Sequence, residues 1–286
     1  MHRHHLGIRL ALLLTLLWTT TVLTLSGENS KPTSSEPVLG ILGAMAIEVE
    51  DLQQQLSEKK VHTVRGIRFV TGMLKGHKVV LALSGIGSVN AGVATALMLE
   101  HFAPTNVLFT GIAGGLNPDL GVCDIVIGNQ TTYHDFGERN ARGFRPFPTV
   151  SPIDGKSNPL SFPADATLLS AAEKAAKGLQ LTQVKLLEGT RKPRVVTGGI
   201  VTGNSFVASP EKRDELRTRY KADATEMEGA AVAQICWQHH VPCLVVRSLS
   251  DLAGENATAD YKQFEKTAAA NSARLVVAIV QELHSK

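Results

Sequence analysis

Apolar and polar positions along the chain alternate between short buried runs and longer stretches with helical spacing. Val38–Leu42 is a compact apolar run that predicts a strand, and Met45 to about Leu56 has the periodicity of a helix. Ile67–Leu74 and Lys78–Leu83 predict a hairpin turned at Lys75-Gly76. Gly85–His101 is rich in small residues and reads as helical beyond its first glycines, with Pro104 as its punctuation. Asn106–Phe109 is a further buried strand, and Asp124–Ile127 another after the turn at Gly121. Residues 135–163 break the rhythm, being rich in proline and poor in periodicity, as long functional loops often are. Helices resume over Asp165–Lys177, Ser209–Tyr220 and 258–284, the last with apolar spacing at Leu275, Ile279 and Leu283. A strand over Gly199–Thr202 ends in Gly203-Asn204-Ser205-Phe206. Alternating strands and helices joined by glycine-rich turns predict one α/β domain, doubly wound, with a mostly parallel mixed sheet flanked by helices.

The pattern is densest in chemistry over residues 222–253. A loop carrying two carboxylates, Glu226 and Glu228, is expected before a helix rich in small residues, and a turn at Pro242 leads into the apolar run Cys243–Val246. That run ends abruptly in Arg247, Ser250 and Asp251. A short run of this kind reads as a strand buried on both faces, and ligands in open α/β sheets bind beyond the carboxyl ends of such strands. Each residue alone also fits a solvated helix start or a helix cap. Three acidic groups and an arginine bracketing one buried strand point to a site.

The amino terminus changes the picture of where the chain works. Met1–Arg9 is basic, Leu10–Leu25 is uncharged and largely apolar, and Ser26-Gly27 follow. This order predicts a secretory signal peptide over 1–26, a polar linker over 27–36 and a catalytic domain over 37–286. The apolar core is short for a membrane span, and an uncleaved anchor is the alternative. The expected location is secreted or periplasmic. A glycan at the Asn256 sequon, close to Asp251, would obstruct a pocket there, which turns the expectation toward a bacterial periplasm.

Composition is that of an ordinary globular protein: 286 residues, 43% hydrophobic and 19% charged, with a formal net charge of +3. Aromatics are only 5% and no basic stripe is present, so nothing indicates nucleic-acid binding. Three cysteines at irregular spacing, Cys123, Cys236 and Cys243, give no disulfide framework and read as small buried thiols, although Cys236 and Cys243 flank one turn and could pair. The ten histidines form no metal-ligand pattern, so no metal is expected.

Two glycine-rich stretches have two readings each. Ser84–Gly92 (SGIGSVNAG) follows a strand and opens a helix, so its N–H groups could cradle an anion, but it matches neither GxGxxG nor a P-loop. Thr110–Gly115 (TGIAGG) could let backbone approach a flat ligand. Tight strand–helix packing explains both as well.

GILGAMAIEVE (40–50), SGIGSVNAG, TGIAGGL (110–116), YHD (133–135), VTGNSFV (201–207), EMEG (226–229) and RSLSD (247–251) occur in an order that resembles the methylthioadenosine/S-adenosylhomocysteine nucleosidases, members of the nucleoside phosphorylase superfamily. The resemblance covers nearly all of 38–286. It implies a nucleoside phosphorylase-like fold, an obligate homodimer, and hydrolysis of the bond between adenine and a 5′-thio-substituted ribose without a cofactor. It implies that Glu48 activates the attacking water with help from Arg247, and that Asp251, with Ser250 beside it, protonates adenine N7. By the same resemblance Glu228 receives the ribose hydroxyls, Met227 packs on the sugar, Phe206 stacks on the base, the Val207 backbone reads the amino edge, and Tyr261 lines the 5′-thio end. Ile112 stands where the family carries serine, and the 136–160 segment is longer than usual, so the 5′ preference is open.

Two other readings remain. Superfamily phosphorylases place an arginine near the second glycine-rich stretch to bind phosphate, whereas this chain has Leu108-Phe109-Thr110-Gly111 and a carboxylate, Glu48, that would repel it. A secreted nucleoside-binding or storage protein of the same fold is the non-catalytic alternative, against which stand Glu48, Glu228, Arg247 and Asp251 together.

Overall fold

A computed structural model describes residues 37–186 and 189–284; the expected signal peptide and linker, 1–26 and 27–36, lie outside the described residues. The amino-terminal half begins with β1 (Val38–Gly43) and α1 (Ala46–Gln55), then a meander of β2 (Ser57–Val64), β3 (Ile67–Leu74) and β4 (His77–Leu83). β3 and β4 form the expected hairpin at Lys75-Gly76, while β2 adds an edge strand that the periodicity did not indicate. Its sequence, SEKKVHTV, is charged and mostly exposed, as an edge protected from further pairing tends to be. α2 (Ser88–Phe102) and β5 (Asn106–Gly115) follow, then β6 (Ile125–Tyr133).

The expected long loop over 135–163 holds a small hairpin, β7 (Gly137–Asn140) with β8 (Gly143–Pro146), and β9 (Ser161–Pro163), which pairs with β6. Then come α3 (Ala166–Ala176), the hairpin β10 (Val184–Leu186) and β11 (Gly189–Arg191), β12 (Val195–Thr202) and α4 (Pro210–Tyr220). Both helices begin on residues suited to the task. Asp165 accepts hydrogen bonds from the N–H groups of Thr167 and Leu168, and Ser209 from that of Lys212, with Pro210 in the first turn. The chain closes with β13 (Ala222–Glu226), a strand paired with β12 where a loop was expected, then α5 (Gly229–Gln238), β14 (Cys243–Asp251) and α6 (Ala257–His284).

The main sheet runs β13-β12-β6-β14-β5-β1-β4-β3-β2. β1 is parallel to β4 and β5, β14 to β5, and β12 to β6 and β13, whereas β14 and β6 are antiparallel. One apolar layer packs α1, α3 and α6 against the sheet through residues such as Ile41, Leu52, Leu168 and Ile279. The other packs α2 and α5 through Leu42, Met98, Phe109 and Val232. The domain is therefore doubly wound, as its sequence pattern predicts.

Four strands, β5, β6, β12 and β14, are longer than expected, and the extra residues of β5 and β14 matter. β5 continues through the glycine-rich stretch to Gly115, which is strand rather than loop. β14 continues from Val246 through Arg247, Ser248 and Ser250 to Asp251, with all nine of its residues buried. The lengthened end of β5 also pairs antiparallel with β13, Gly114 opposite Thr225 and Gly115 opposite Ala224. The circuit β5–β14–β6–β12–β13 is thereby closed, and it brings Glu226 and Asp251 to the same end of the sheet. A Cβ on residue 115 would lie 3.0 Å from both Leu249 Cδ1 and Leu252 Cδ2. Gly115→Val is expected to overpack this seam and lower stability by about 1–3 kcal/mol, read from the urea midpoint at unchanged slope.

Candidate active site

A cavity of about 420 Å3 opens at this end of the sheet, between the turn after β1, the glycine-rich end of β5, the loops after β12 and β13, the end of β14 and the first turns of α6. That volume suits a nucleoside-sized ligand. Of the residues selected from sequence, Glu48, Ile112, Phe206, Val207, Met227, Glu228, Ser250, Asp251 and Tyr261 line it. Arg247 does not. It lies behind the wall.

Glu48 sits in the first turn of α1, 3% exposed, and its carboxylate is held from three directions. Oε2 accepts from the N–H groups of Ala44 at 2.7 Å and Met45 at 2.9 Å, and Oε1 from that of Ile112 at 2.9 Å. Burial raises its pKa above the usual carboxylate range, against the lowering pull of Arg247 and the three N–H groups. Gly111 makes the arrangement possible, since a Cβ there would lie 2.6 Å from Glu48 Oε1 and 2.7 Å from Arg247 Nη1. Ile112 therefore contributes its backbone N–H to Glu48 as well as an apolar side chain to the wall.

Asp251 ends β14. Its Oδ1 accepts from the N–H of Ala253 at 2.9 Å, and the Ser250 hydroxyl donates to Oδ2 at 2.9 Å, with the Ala113 carbonyl 3.3 Å from the same hydroxyl. Burial pushes Asp251 up to about 6 in spite of these donors. Glu48 rests on Gly111, and a Cβ on Gly114 would lie 3.0 Å from Asp251 Oδ1. Three residues of extended chain separate the two supports, roughly 10 Å. The carboxylates thus face the cavity from separate stations along β5.

Glu228 lies between β13 and α5. Its Oε1 accepts from the N–H of Gly87 at 2.7 Å. Burial first and the neighbouring Glu226 charge second push it up to about 7. The SGIGSVNAG stretch does meet an acidic group, but that group, the Glu228 carboxyl, belongs to the chain itself. Asn204 Oδ1 accepts from the Ser88 N–H at 3.0 Å, and the Ser88 hydroxyl donates to the Met227 carbonyl at 3.2 Å. Three motifs far apart in sequence are thus tied at the start of α2.

Arg247 is 1% exposed, with its guanidinium 4.1 Å from the centre of the Phe109 ring. Its direct partner is Glu226, Nη2 to Oε2 at 2.6 Å, and Glu228 is 3.7 Å away. Burial alone would lower the Arg247 pKa, and the carboxylates of Glu226, Glu48 and Glu228 outweigh it. Glu226 lines the cavity too. It stood in the EMEG motif without an assigned task, and nothing in a one-dimensional pattern says which of two nearby carboxylates meets an arginine.

The remaining walls are apolar. Phe206 is 48% exposed and packs edge-on against Tyr261 with ring centres 6.0 Å apart, while Val207 is buried. Burial raises the Tyr261 phenol to about 12, and its hydroxyl points at Met45 Sδ at 3.5 Å. Lining residues that sequence reasoning did not single out include Ile86, Thr225, Thr258 and Lys262. Cys123, Cys236 and Cys243 are buried free thiols away from the cavity. Among the described residues no group of His, Cys, Asp and Glu is arranged to hold a metal ion.

Comparison with known proteins agrees with this architecture. Residues 38–281 match the phosphorylase superfamily model. A 5′-methylthioadenosine/S-adenosylhomocysteine nucleosidase from Geobacillus sp. (strain WCH70) is 39% identical over 246 residues, 86% of this chain and 98% of the relative. The crystal structure of the corresponding nucleosidase from Neisseria meningitidis, in complex with methylthio-immucillin-A, superimposes with a TM-score of 0.73 at 39% identity, covering 85% of this chain and 98% of that one. The futalosine hydrolase of Helicobacter pylori strain 26695 gives a TM-score of 0.73 at 30% identity over 86% of this chain and 98% of that one. The chain belongs to the phosphorylase superfamily and, within it, to the family of the 5′-methylthioadenosine/S-adenosylhomocysteine nucleosidases.

Proposed function

We propose that this protein hydrolyses the N-glycosidic bond of 5′-methylthioadenosine and S-adenosylhomocysteine, releasing adenine. The observation that carries the reading is the pair of buried carboxyl groups, Glu48 and Asp251, that line one cavity and are held against different glycines of β5. Cleavage of an N-glycoside passes through an oxocarbenium-like sugar, so it needs a better leaving group on one side and a water on the other. Asp251, raised to about 6, holds its proton further toward neutral pH than an ordinary aspartate and can deliver it to N7 of the departing adenine. Glu48, fixed by three N–H groups and raised by burial, is the base that takes the proton of the water. Glu228 receives the ribose hydroxyls and Met227 covers the sugar. Phe206 takes the face of the base, and Val207 offers backbone to its edge.

Phosphorolysis fits the site less well. Arg247 is sealed behind Glu226, and Lys262 at the cavity rim is the cation among the lining residues. The same Lys262, next to Tyr261, favours a 5′ substituent that carries a carboxylate, as the homocysteine of S-adenosylhomocysteine does. Adenine release from methylthioadenosine, S-adenosylhomocysteine and adenosine, with and without phosphate, separates these readings. Phosphate-independent turnover of the thio-nucleosides is expected. A strict need for phosphate would make the protein a phosphorylase, and binding without turnover would make it a nucleoside carrier.

We also propose that the chain is exported through residues 1–26 and works as a homodimer. The leader has the n-, h- and c-region order, and α2 exposes Val89 and Val93, with Ile86 just before them at the cavity rim. The amino terminus of the mature chain and its mass in solution test the two points.

Asp251→Asn is expected to reduce kcat by at least ~100-fold, and Glu48→Gln to keep nucleoside binding while stopping turnover. Wild-type-like rates in the first, or equal loss of binding and rate in the second, would remove the assigned roles. Asp251→Asn should also stabilise the fold at neutral pH. Between about pH 4 and 6 the folded protein holds a proton on Asp251 that the unfolded chain has released, so stability falls as pH rises through that window. The variant should gain on the order of 1–3 kcal/mol above pH 6 and nothing below pH 4, read from denaturant melts at the two pH values.

A further inference from the structure

Glu226 has no part in the chemistry described so far, yet its position is the most heavily specified of any side chain at the site. It is buried, and both of its oxygens are met by donors. Oε2 accepts from Arg247 Nη2 at 2.6 Å and from the Glu228 N–H at 3.1 Å, the Gly229 N–H reaches both oxygens at 2.9 and 2.7 Å, and the Thr202 hydroxyl donates to Oε1. Glu226 is thus also the anion seated at the amino end of α5, where a negative charge is favoured.

Around it three buried carboxyl groups, Glu48 from α1, Glu226 from β13 and Glu228 before α5, compete for one buried cation, Arg247 from β14. The other titratable groups facing them do not add positive charge. From β6, burial raises the Tyr133 phenol, and burial lowers the adjacent His134, which also feels Asp135 and, from α4, Lys212. On the opposite side Glu48 meets the raised Tyr261 of α6, and Asp251 lies beyond it. One guanidinium cannot neutralise three carboxylates at close quarters. Whichever carboxylate takes it decides which of the others carries a proton.

We propose that Glu226 is a positioning residue of the reaction: by taking the Arg247 guanidinium to itself, it turns that charge away from Glu48 and Glu228 and leaves Glu48 a strong enough base to receive a proton from water. Without the Glu226 charge, the guanidinium would be drawn to Glu228, 3.7 Å away, and toward Glu48, which shares the open face of Gly111 with it. Both acids would become stronger and Glu48 a weaker base. The proposal rests on the nucleosidase reading for its kinetic test but not for its charge test.

In Glu226→Gln, the acid limb of the kcat/KM pH profile is expected to move down by about one pH unit, with kcat near its optimum lowered about tenfold. Glu226→Asp, which keeps the charge, should leave the limb at the wild-type pH and recover part of the rate. A slower Glu226→Gln enzyme with an unmoved limb would mean that Glu226 only supports the fold, and would overturn the proposal. The wild-type protein gives an independent test, needing no variant to fold and no turnover. With carboxyl-labelled glutamate, the Glu48 and Glu228 resonances should both titrate above the range of the exposed glutamates. Midpoints of these two within that range would equally overturn it. Absence of adenine release by the wild type would instead count against the nucleosidase reading alone.

Discussion

A guanidinium with 1% of its surface exposed is the constraint around which this domain is assembled. The effective penalty for taking such an ion out of water is several kcal/mol, and it is offset only where the geometry of the counter-charges is good. Arg247 obtains that geometry from elements far apart in sequence. Glu226 arrives at the end of β13, Glu228 just after it, Glu48 in the first turn of α1, and Phe109 offers its ring from β5. Each of those elements must end where it does for the charge to be tolerated. The burial of one cation therefore couples the sheet, two helix starts and the cavity wall.

The closure of the strand circuit is the second half of the same arrangement. β5 pairs with β1 over its first residues and with β13 over its last, so it turns from one neighbour to another along its length. Glycines at 111, 114 and 115 permit this, because side chains from β14 and α1 occupy the space that a Cβ would need. What would be weak strand chemistry elsewhere becomes the means of close approach. Asp251 and Glu48 are then held against different glycines of one strand, in different surroundings. The first keeps an alcohol and one N–H as partners, the second three N–H groups and a nearby guanidinium. Two carboxyl groups in unlike environments are what acid and base tasks at one pH require.

The polar part of this arrangement sits close to the opposite extreme of exposure from the rim. Phe206 remains half open to solvent and Lys262 is exposed, while the carboxylates behind them are almost wholly covered. A ligand entering past Phe206 and Tyr261 would complete the covering of groups that are already largely desolvated, and electrostatic interactions within the site would strengthen accordingly.

Much of the fold was legible in the order of residues alone. Periodicity located β1, α1, the β3–β4 hairpin and α6, and Asp165 and Ser209 marked the starts of α3 and α4, because caps and periodic burial are local effects. The ordered motifs likewise carried the family, since each holds a residue type whose chemistry does not depend on its neighbours. The ends of β5 and β14 were not legible. Gly111–Gly115 and Arg247–Asp251 break every local rule for a buried strand, and their pairing with each other, with β13 and with β6 makes them one. The exposed β2 and the β7–β8 hairpin gave no alternation to read, being little buried on either face. The sequence by itself determined which charged groups would have to be accommodated. Which carboxylate meets the arginine, and which are left to hold protons, was decided by the tertiary structure, because electrostatic energy depends on distance and burial and a linear pattern contains neither.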